Sequence, residues 1–448
     1  MAKKETAPLA TNGTAHNSCD YDNTICADVQ GFSDATEQTY NEMLCSVTEN
    51  YLQGIDPDCM PSPSVIEYEL LTVTNNAIKE YNLGPRDPSA PPGAPLKDAY
   101  PDQKPMDERV RKLRVLVPWQ VAKILMYLHH AVRISLTGGR GDNECEIAVY
   151  VAEGEKAGIY DVSLLSIERL ARVYNPQFSI RDVKEVMAVL LSESPCVKRC
   201  DDQNLIAVNN GIFDYKNKVL MPFDPKYVFT AKSDTDLIKD APNPVIHNDA
   251  DGTDWDVVSW MDELSDDPEV VQLLWEILGA IIRPSVRWNK SAWLYSTMGN
   301  NGKGTLCTLM RNLCGEGAWA SISLKAFSQR FMLEPLRHVS AIITDENDTG
   351  TFVDDAAALK SVITGDPFQM DIKHKDARKA RFTGFMVQCV NEPPRLKDRS
   401  ESMYRRLLII PMNKRFEGRE RKYIKDDYLH RREVLEYVLS HLMYETDY

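Results

Sequence analysis

A glycine-rich loop between a strand pattern and a helix pattern constrains this chain more than any other feature. The apolar run 292–295 leads into the polar segment 296–305, and a helix is predicted over 306–313. Glycines let backbone N–H groups approach phosphate oxygens, and the N-terminus of the following helix adds positive potential. The lysine of such a loop reaches the terminal phosphates. The pattern predicts a phosphate-binding loop made of Gly299, Asn300, Asn301, Gly302, Lys303, Gly304 and Thr305.

Two positions depart from the usual pattern of such loops. Thr297 stands where the first glycine is expected, and Gly304 follows Lys303 where a serine or threonine normally binds Mg²⁺. Thr305 comes one residue later, and we expect its hydroxyl group to replace the missing metal ligand. The alternative is a glycine-rich helix start that binds nothing. The lysine and the flanking strand and helix patterns favour the phosphate site.

An acidic pair ends the next apolar strand pattern, which covers residues 339–344 and leads directly into Asp345 and Glu346. A carboxylate at the end of such a strand suits Mg²⁺ coordination, and a neighbouring glutamate suits polarisation of an attacking water. We therefore expect Asp345 to bind the metal ion and Glu346 to act on the water. A solvated acidic loop is the alternative, but the preceding phosphate loop favours the functional interpretation.

Two further segments supply groups that can act on a terminal phosphate. The strand pattern 385–390 ends at Asn391, whose amide can orient the attacking water or contact the phosphate. Arg405 and Arg406 precede the apolar run 407–410. Arginine binds phosphate bidentately, so one of them can act in trans as an arginine finger. Surface ion pairing is the alternative for these arginines, and Arg399 is the third candidate for the finger.

A basic segment, residues 370–381, lies between two strand patterns. We predict a hairpin whose tip carries Lys373, His374 and Lys375. Such a tip can contact backbone phosphates of a nucleic acid. On charge alone, a solvated hairpin is the alternative.

Changes in composition divide the chain into five parts. Apolar positions at helical spacing lie in 40–51 and 66–81, whereas seven prolines occupy 85–105. Further helices are predicted from Pro118 to Val132 and over 163–174, 180–192 and 268–283, with a turn at Asn209, Asn210 and Gly211. We predict an acidic helical block at 1–84, an extended and solvent-facing proline-rich linker at 85–106, a mixed α+β domain at 107–285, an α/β core at 286–420 and a C-terminal helix within 421–448.

The net charge of −14 does not exclude a nucleic-acid partner, because the charge is unevenly distributed. Residues 1–60 contain ten acidic and two basic residues, whereas residues 290–420 contain twenty basic and fifteen acidic residues. Binding follows the local field rather than the net charge. We expect the core to be the part that contacts nucleic acid, and the acidic N-terminal block to be a helical module or an arm for partner proteins.

The cysteines and apolar runs bear on the compartment. Ten cysteines occur without a CxxC pair, and we expect them to be reduced thiols. Cys196 and Cys200 have no second pair that would complete a zinc site. No apolar run approaches the roughly 18 residues that span a bilayer, and the N-terminus lacks a signal-peptide pattern. We expect a cytoplasmic protein that does not enter a membrane.

Taken in order, these elements resemble the superfamily 3 helicases, and most of all the viral, phage and plasmid primase–helicase branch. The resemblance covers residues 200–415 and includes Asn210, Gly211, Ile212, Phe213 and Asp214 upstream of the loop. The lysine followed by glycine and threonine also occurs in this branch. Lys373 and His374 resemble the Lys-His pair on the DNA-contacting hairpin of the papillomavirus replicative helicase, and the Asn391-to-Arg406 spacing resembles the finger spacing there.

The resemblance implies an AAA+-like P-loop ATPase core, with ATP and Mg²⁺ as cofactors. It also implies a homo-oligomeric, hexameric ring that moves 3′ to 5′ on single-stranded DNA, and a role in replication. Replication proteins are then the expected partners of the N-terminal block. Two other interpretations are an ATP-switched loader that does not unwind DNA and a P-loop kinase. The basic hairpin and Asn391 argue against the kinase.

Overall fold

The N-terminal part of the structure is a layer of helices against a small mixed sheet. The computed structural model describes residues 39–446 apart from 139–144, 349, 351, 354–355, 374–376, 393–394, 399 and 419. The helices are α1 (Tyr40–Gln53), α2 (Pro63–Leu83), α3 (Leu96–Ala99), α4 (Pro118–Leu128), α5 (Leu164–Tyr174) and α6 (Ile180–Glu193). The sheet, in the order β3-β2-β1-β4, contains β1 (Val132–Ser135), β2 (Cys145–Tyr150), β3 (Tyr160–Asp161) and β4 (Cys196–Val197).

The two predicted N-terminal helices are present, but their core does not stop at residue 84. Thr39 begins α1 with a capping box to Glu42, which satisfies backbone N–H groups of the first turn. Leu52 of α1 and Leu70 of α2 pack in one hydrophobic core with α4, α5 and α6. Gln120 of α4 links α4 to both N-terminal helices, because its amide donates to hydroxyl groups on α1 and on α2. The core therefore crosses the predicted boundary.

The proline-rich segment differs from the extended linker predicted for it, because it includes the single-turn helix α3. Pro95 stands at the N-cap of α3, a position where a missing backbone N–H group costs little. The chain that follows lies along α2. The Asn82 side chain pairs with both the N–H and the carbonyl group of Val110, and Asn75 pairs with Leu113 in the same way.

The middle of the chain contributes two small antiparallel sheets and two helices. Asn209 and Asn210 form the turn of a hairpin, as predicted, and its strands belong to the sheet β5-β6-β7. The elements are β5 (Leu205–Val208), β6 (Gly211–Asp214), β7 (Val219–Met221), β8 (Ile246–Asn248), β9 (Thr253–Trp255), α7 (Val257–Glu263) and α8 (Pro268–Ile282). Phe213 and Leu274 share a hydrophobic core with Leu294 and Leu306, so this packing also crosses the predicted boundary at 285.

The last part of the chain is built on a five-stranded sheet in which every pairing is parallel. Its strands, in the order β11-β12-β16-β10-β18, are β10 (Ser291–Tyr295), β11 (Trp319–Ala320), β12 (Ala341–Thr344), β16 (Phe385–Val390) and β18 (Leu407–Pro411). The other strands are β13 (Phe352–Val353), β14 (Phe368–Met370), β15 (Arg378–Ala380) and β17 (Arg395–Leu396). The helices are α9 (Lys303–Cys314), α10 (Ala357–Thr364), α11 (Glu401–Tyr404), α12 (Lys422–Asp426) and α13 (Arg432–Ser440).

Both faces of this sheet are covered. Successive side chains of a strand point to opposite faces, so Leu294 packs in the core that contains α8, α9 and α13, whereas Trp293 packs in the core that contains α10. Burial on both faces explains why the strand patterns are continuously apolar rather than alternating. The mixed α/β architecture agrees with the sequence prediction.

The C-terminal helix predicted near 423–444 is divided in the structure. It begins as α12, continues through a short 3₁₀ turn at Tyr428–His430 and α13, and ends in the π-helical turn His441–Glu445. The division lets Leu429 and Val434 both enter the core beneath the sheet.

Among the described residues, no helix has the length and apolar character needed to cross a membrane. None of the eight cysteines within the described ranges is in a disulfide bond.

Candidate nucleotide-binding site

Three of the predicted site segments meet at one edge of the parallel sheet. The glycine-rich loop follows β10, Asp345 follows β12, and Asn391 follows β16. The strand β16 lies between the other two, with Val390 beside Tyr295 and Gln388 beside Thr344. Because the carboxyl ends of parallel strands share an edge, the topology brings these segments together. This edge is where open α/β sheets bind ligands.

The loop is held in a tight conformation by its own residues. Asn300 and Gly302 have φ values of 52° and 86°, in the left-handed region that favours glycine and tolerates asparagine. The Asn301 amide donates to the Met298 carbonyl at 2.5 Å, and its oxygen accepts from the Lys303 backbone N–H at 3.2 Å. Gly299 is exposed at the tip. The loop is therefore preorganised at the start of α9.

The side chain of Lys303 is buried and fully engaged at the edge of the sheet. It is 7% exposed, and its ammonium group donates to the Asn391 side-chain oxygen at 2.7 Å. The Ser296 and Val390 carbonyl oxygens lie 3.3 and 3.4 Å away. Burial lowers the pKa of Lys303, while Cys389 and Asp345 act in the opposite direction. A phosphate at this edge would compete with neutral oxygen atoms for the ammonium protons.

Gly304 lies directly against the predicted metal ligand. A Cβ atom at Gly304 would be 3.2 and 3.3 Å from the two carboxylate oxygens of Asp345. Asp345 is half-buried where β12 ends. The carboxylate fits a Mg²⁺ ion that also contacts bound phosphate, since Mg²⁺ is commonly held by one or two carboxylates and phosphate oxygens.

Thr305 lines a cavity of about 370 Å³ on the outer side of the loop. Trp260, Leu264, Phe416 and Ile424 form its apolar walls. Its polar rim includes Asn300, Glu420, Arg421, Lys422, Lys425 and Asp426. An apolar slot with a few polar groups is typical of a small-ligand site, and this one adjoins the loop that would hold phosphates.

The segment that closes this cavity is fastened to the glycine-rich loop. The Phe416 N–H donates to the Asn300 carbonyl at 2.7 Å, and the Asn300 amide donates to Glu420 at 3.0 Å. Neither Phe416 nor Trp260 is among the site residues predicted from the sequence, because no local pattern links them to a loop more than thirty-five residues away.

Glu346 is exposed beside Asp345. The next residue, Asn347, organises the chain where β12 ends. The Asn347 amide donates to the Gln388 side chain and to the Cys389 carbonyl at 2.9 and 3.0 Å, and its oxygen accepts from the Leu324 N–H. Asn347 therefore fixes the end of β12 against β16. This role of Asn347 could not be predicted from the sequence, because an asparagine after an acidic pair carries no signal of its own.

The two candidate finger arginines differ in their surroundings. Arg406 is half-buried, and one of its terminal nitrogens donates to the backbone and hydroxyl oxygens of Ser402. Its Nε is buried and has no acceptor within the described ranges. Arg405 is exposed. Arg399, the third candidate, lies outside the described residues.

The basic segment forms the predicted hairpin, in which β14 pairs with β15 in antiparallel register. Lys373 is exposed in its turn. Asp371, at the start of the turn, is paired with Arg330 at 2.9 Å. His374 and Lys375 lie outside the described residues, so their contact with DNA stays a prediction.

Comparison with known proteins gives a partial match around this site. Residues 294–406 match the model of DUF5906, described as a family of unknown function. This range begins in β10 and ends at Arg406. An apo structure of the NrS-1 C-terminal region (305–718) is similar to this chain with 13% identity and a TM-score of 0.45, covering 72% of this chain and 69% of the other. The A form of the apo structure of the same region is similar with 14% identity and a TM-score of 0.43, and the coverage of both chains is the same. Structural similarity at this level of identity and TM-score does not identify the activity of this protein.

Because Thr305 lines the cavity beside the loop, we expect Thr305→Ala to weaken nucleotide binding at any Mg²⁺ concentration. Titration of a fluorescent ATP analogue at several Mg²⁺ concentrations measures this. Thr308→Ala, one turn further along α9, is the matched control. A change confined to the Mg²⁺ requirement would instead make Thr305 a metal ligand, as expected from its sequence position.

Proposed function

We propose that this protein is an ATP-driven DNA helicase of superfamily 3 that acts in the replication of a phage, virus or mobile element. In this proposal the core is an AAA+-like P-loop ATPase that binds ATP with Mg²⁺, assembles as a ring and moves along single-stranded DNA. The alternative within the same class of site is an ATP-switched loader that does not unwind DNA.

One observation carries the nucleotide part of the proposal: Lys303, Asn391 and Asp345 converge at one sheet edge. The lysine contacts the asparagine at 2.7 Å, and Gly304 lies against the aspartate. A cation, an amide and a carboxylate beside a loop of backbone N–H groups are the parts that phosphoryl transfer needs for positioning and charge stabilisation. The adjacent apolar cavity is suited to the base of the nucleotide.

The roles of the residues follow from these positions. Lys303 binds the terminal phosphate, and Asp345 holds the Mg²⁺ ion, which neutralises charge on the phosphates. Glu346, exposed beside it, polarises the attacking water. When phosphate engages Lys303, the Asn391 amide is released from the ammonium group and can contact the water or the phosphate. Asn391 thereby couples phosphate binding to the end of β16.

The DNA part of the proposal is supported by charge and by the hairpin. Residues 290–420 carry a net charge of +5 in a chain of net charge −14. Lys373 stands exposed at the turn between β14 and β15. Contacts from such a turn to phosphates bind without regard to sequence, as translocation along a strand requires.

The first test separates binding from chemistry. Glu346→Gln should retain ATP affinity, because Lys303 and Asp345 remain, but should abolish ATP hydrolysis and strand displacement. Nucleotide binding, ATPase activity stimulated by single-stranded DNA, and displacement of a labelled strand are measured on the same preparations. Glu185→Gln, on the exposed side of α6, is the control.

The outcomes distinguish the two alternatives. Hydrolysis stimulated by single-stranded DNA without strand displacement, on substrates with either polarity of tail, would favour the loader. Hydrolysis that survives in Glu346→Gln would remove that residue from its role. A wild-type protein that binds no ATP would contradict the proposal as a whole.

A second test concerns the arginine finger. We expect Arg406→Ala to bind ATP and to assemble, yet to lose most of its ATPase activity, because fingers contribute about 10³–10⁵ in turnover. Arg405→Ala, its exposed neighbour, should be milder. Mixing Arg406→Ala with Lys303→Ala subunits should restore part of the activity, since some interfaces then join an intact loop to an intact finger. Co-assembly without any recovery would argue for Arg405 or Arg399.

A further inference from the structure

A pair of buried thiols lies directly beneath the candidate nucleotide site. Cys307 on α9 and Cys389 on β16 are 0% and 2% exposed, and their sulfur atoms are 3.4 Å apart. A carboxylate oxygen of Asp345 completes a group whose three ligand atoms all lie within 4.8 Å of one another. Among the described residues, these three form the one group of cysteine, histidine or acidic side chains that lie close enough together to bind a metal ion.

The fold ties this group to the residues of the proposed ATPase site. Cys307 follows Lys303 by one helical turn, so both lie on the same face of α9. Cys389 lies in β16 two residues before Asn391, which directly follows that strand, and both thiols are close enough to Lys303 to act on its ammonium group. The thiol pair therefore lies under the Lys303–Asn391 contact, and Asp345 belongs to both groups. Nothing in the proposed hydrolysis reaction uses the two thiols.

The donor set matches one class of metal ion. Two sulfur atoms and one carboxylate oxygen suit a thiophilic divalent cation such as Zn²⁺, whereas Mg²⁺ prefers oxygen ligands alone. A tetrahedral ion with metal–sulfur distances of about 2.3 Å requires its two sulfur atoms to be about 3.8 Å apart. The observed 3.4 Å needs only a small opening. Three protein ligands would leave a fourth position for water or another ligand.

Charge balance also permits such an ion beside Lys303. A divalent cation that replaces two thiol protons leaves the net charge of the pair unchanged. Binding of the ion therefore adds no net positive charge near the Lys303 ammonium group. The Asp345 carboxylate contributes one negative charge to the site.

We propose that Cys307, Cys389 and Asp345 form a binding site for a thiophilic divalent cation of the Zn²⁺ class. Because the site takes the carboxylate expected to hold Mg²⁺, its occupation and productive Mg²⁺-nucleotide binding exclude each other. The metal site stands on the geometry of the three ligands alone, whereas the exclusion rests on the proposed ATPase function.

Direct metal binding tests the site. The nucleotide-free, reduced full chain is titrated with Cd²⁺, followed by calorimetry and by the ultraviolet absorption of cadmium–thiolate bonds, and with Zn²⁺ in competition with a chromogenic chelator. Loss of an outer-sphere partner already costs about 10–100-fold in affinity, so Cys307→Ala and Cys389→Ala should each weaken one site by at least that much. Cys314→Ala, also buried on α9, is the matched control and should bind normally.

A second thiol pair, Cys145 and Cys196 with sulfur atoms 3.1 Å apart, must be removed from the measurement. All variants are therefore made in a Cys145→Ala/Cys196→Ala background whose folding is verified by thermal unfolding. If Cys307→Ala and Cys389→Ala unfold, Asp345→Asn with intact thiols replaces them and should weaken the metal affinity. Unchanged stoichiometry and affinity in the folded variants would overturn the proposal.

Competition with nucleotide tests the exclusion separately. Saturating Mg²⁺-ATP should reduce Cd²⁺ binding at this site, and bound Zn²⁺ should reduce ATPase activity in wild type but not in Cys389→Ala. If metal binding needs both thiols but the protein binds no ATP, the metal site is supported and the ATPase proposal is contradicted. Simultaneous full binding of both ligands would contradict their exclusion.

Discussion

The hydrogen bond between the Lys303 ammonium group and the Asn391 side chain is the contact on which the candidate site depends. It joins the first residue of α9 to the end of β16 at 2.7 Å. A buried ammonium group without partners would be strongly unfavourable, and a hydrogen bond to a charged group contributes about 1.5–3 kcal/mol. The Lys303 ammonium group must therefore keep hydrogen-bond partners, and a bound phosphate would take the place of its shortest one, Asn391. This exchange of partners is the physical basis of the proposed coupling between nucleotide and sheet.

The strands around this contact could be predicted because the local sequence determines them. Apart from Gln388, the runs 292–295 and 385–390 are apolar on both faces, as is typical of strands buried between two layers of helices. Glycine and asparagine residues mark the loop, and Asp345 follows an apolar run. Each signal spans fewer than about ten residues, and the parallel topology then brings the strand ends together without further information.

The remaining features depend on contacts between distant segments. Phe416 reaches the loop through a backbone hydrogen bond to Asn300, and Trp260 approaches from a helix before the core. The helix α3 forms within a proline-rich segment because Pro95 starts it, and the chain after it is held by side chains of α2. Such contacts have no periodicity and no motif. Composition predicts domain boundaries at 84 and 285, but apolar side chains from both sides of each boundary pack into one hydrophobic core.

Equilibrium binding of ATP to wild type and to Lys303→Ala tests the central claim most directly. The account predicts that wild type binds ATP in the presence of Mg²⁺ and that Lys303→Ala, folded as judged by its thermal unfolding, loses most of this affinity. Lys184→Ala, on an exposed face of α6, should bind as wild type does. Equal affinity of Lys303→Ala and wild type would contradict the claim that the loop before α9 binds the nucleotide phosphates.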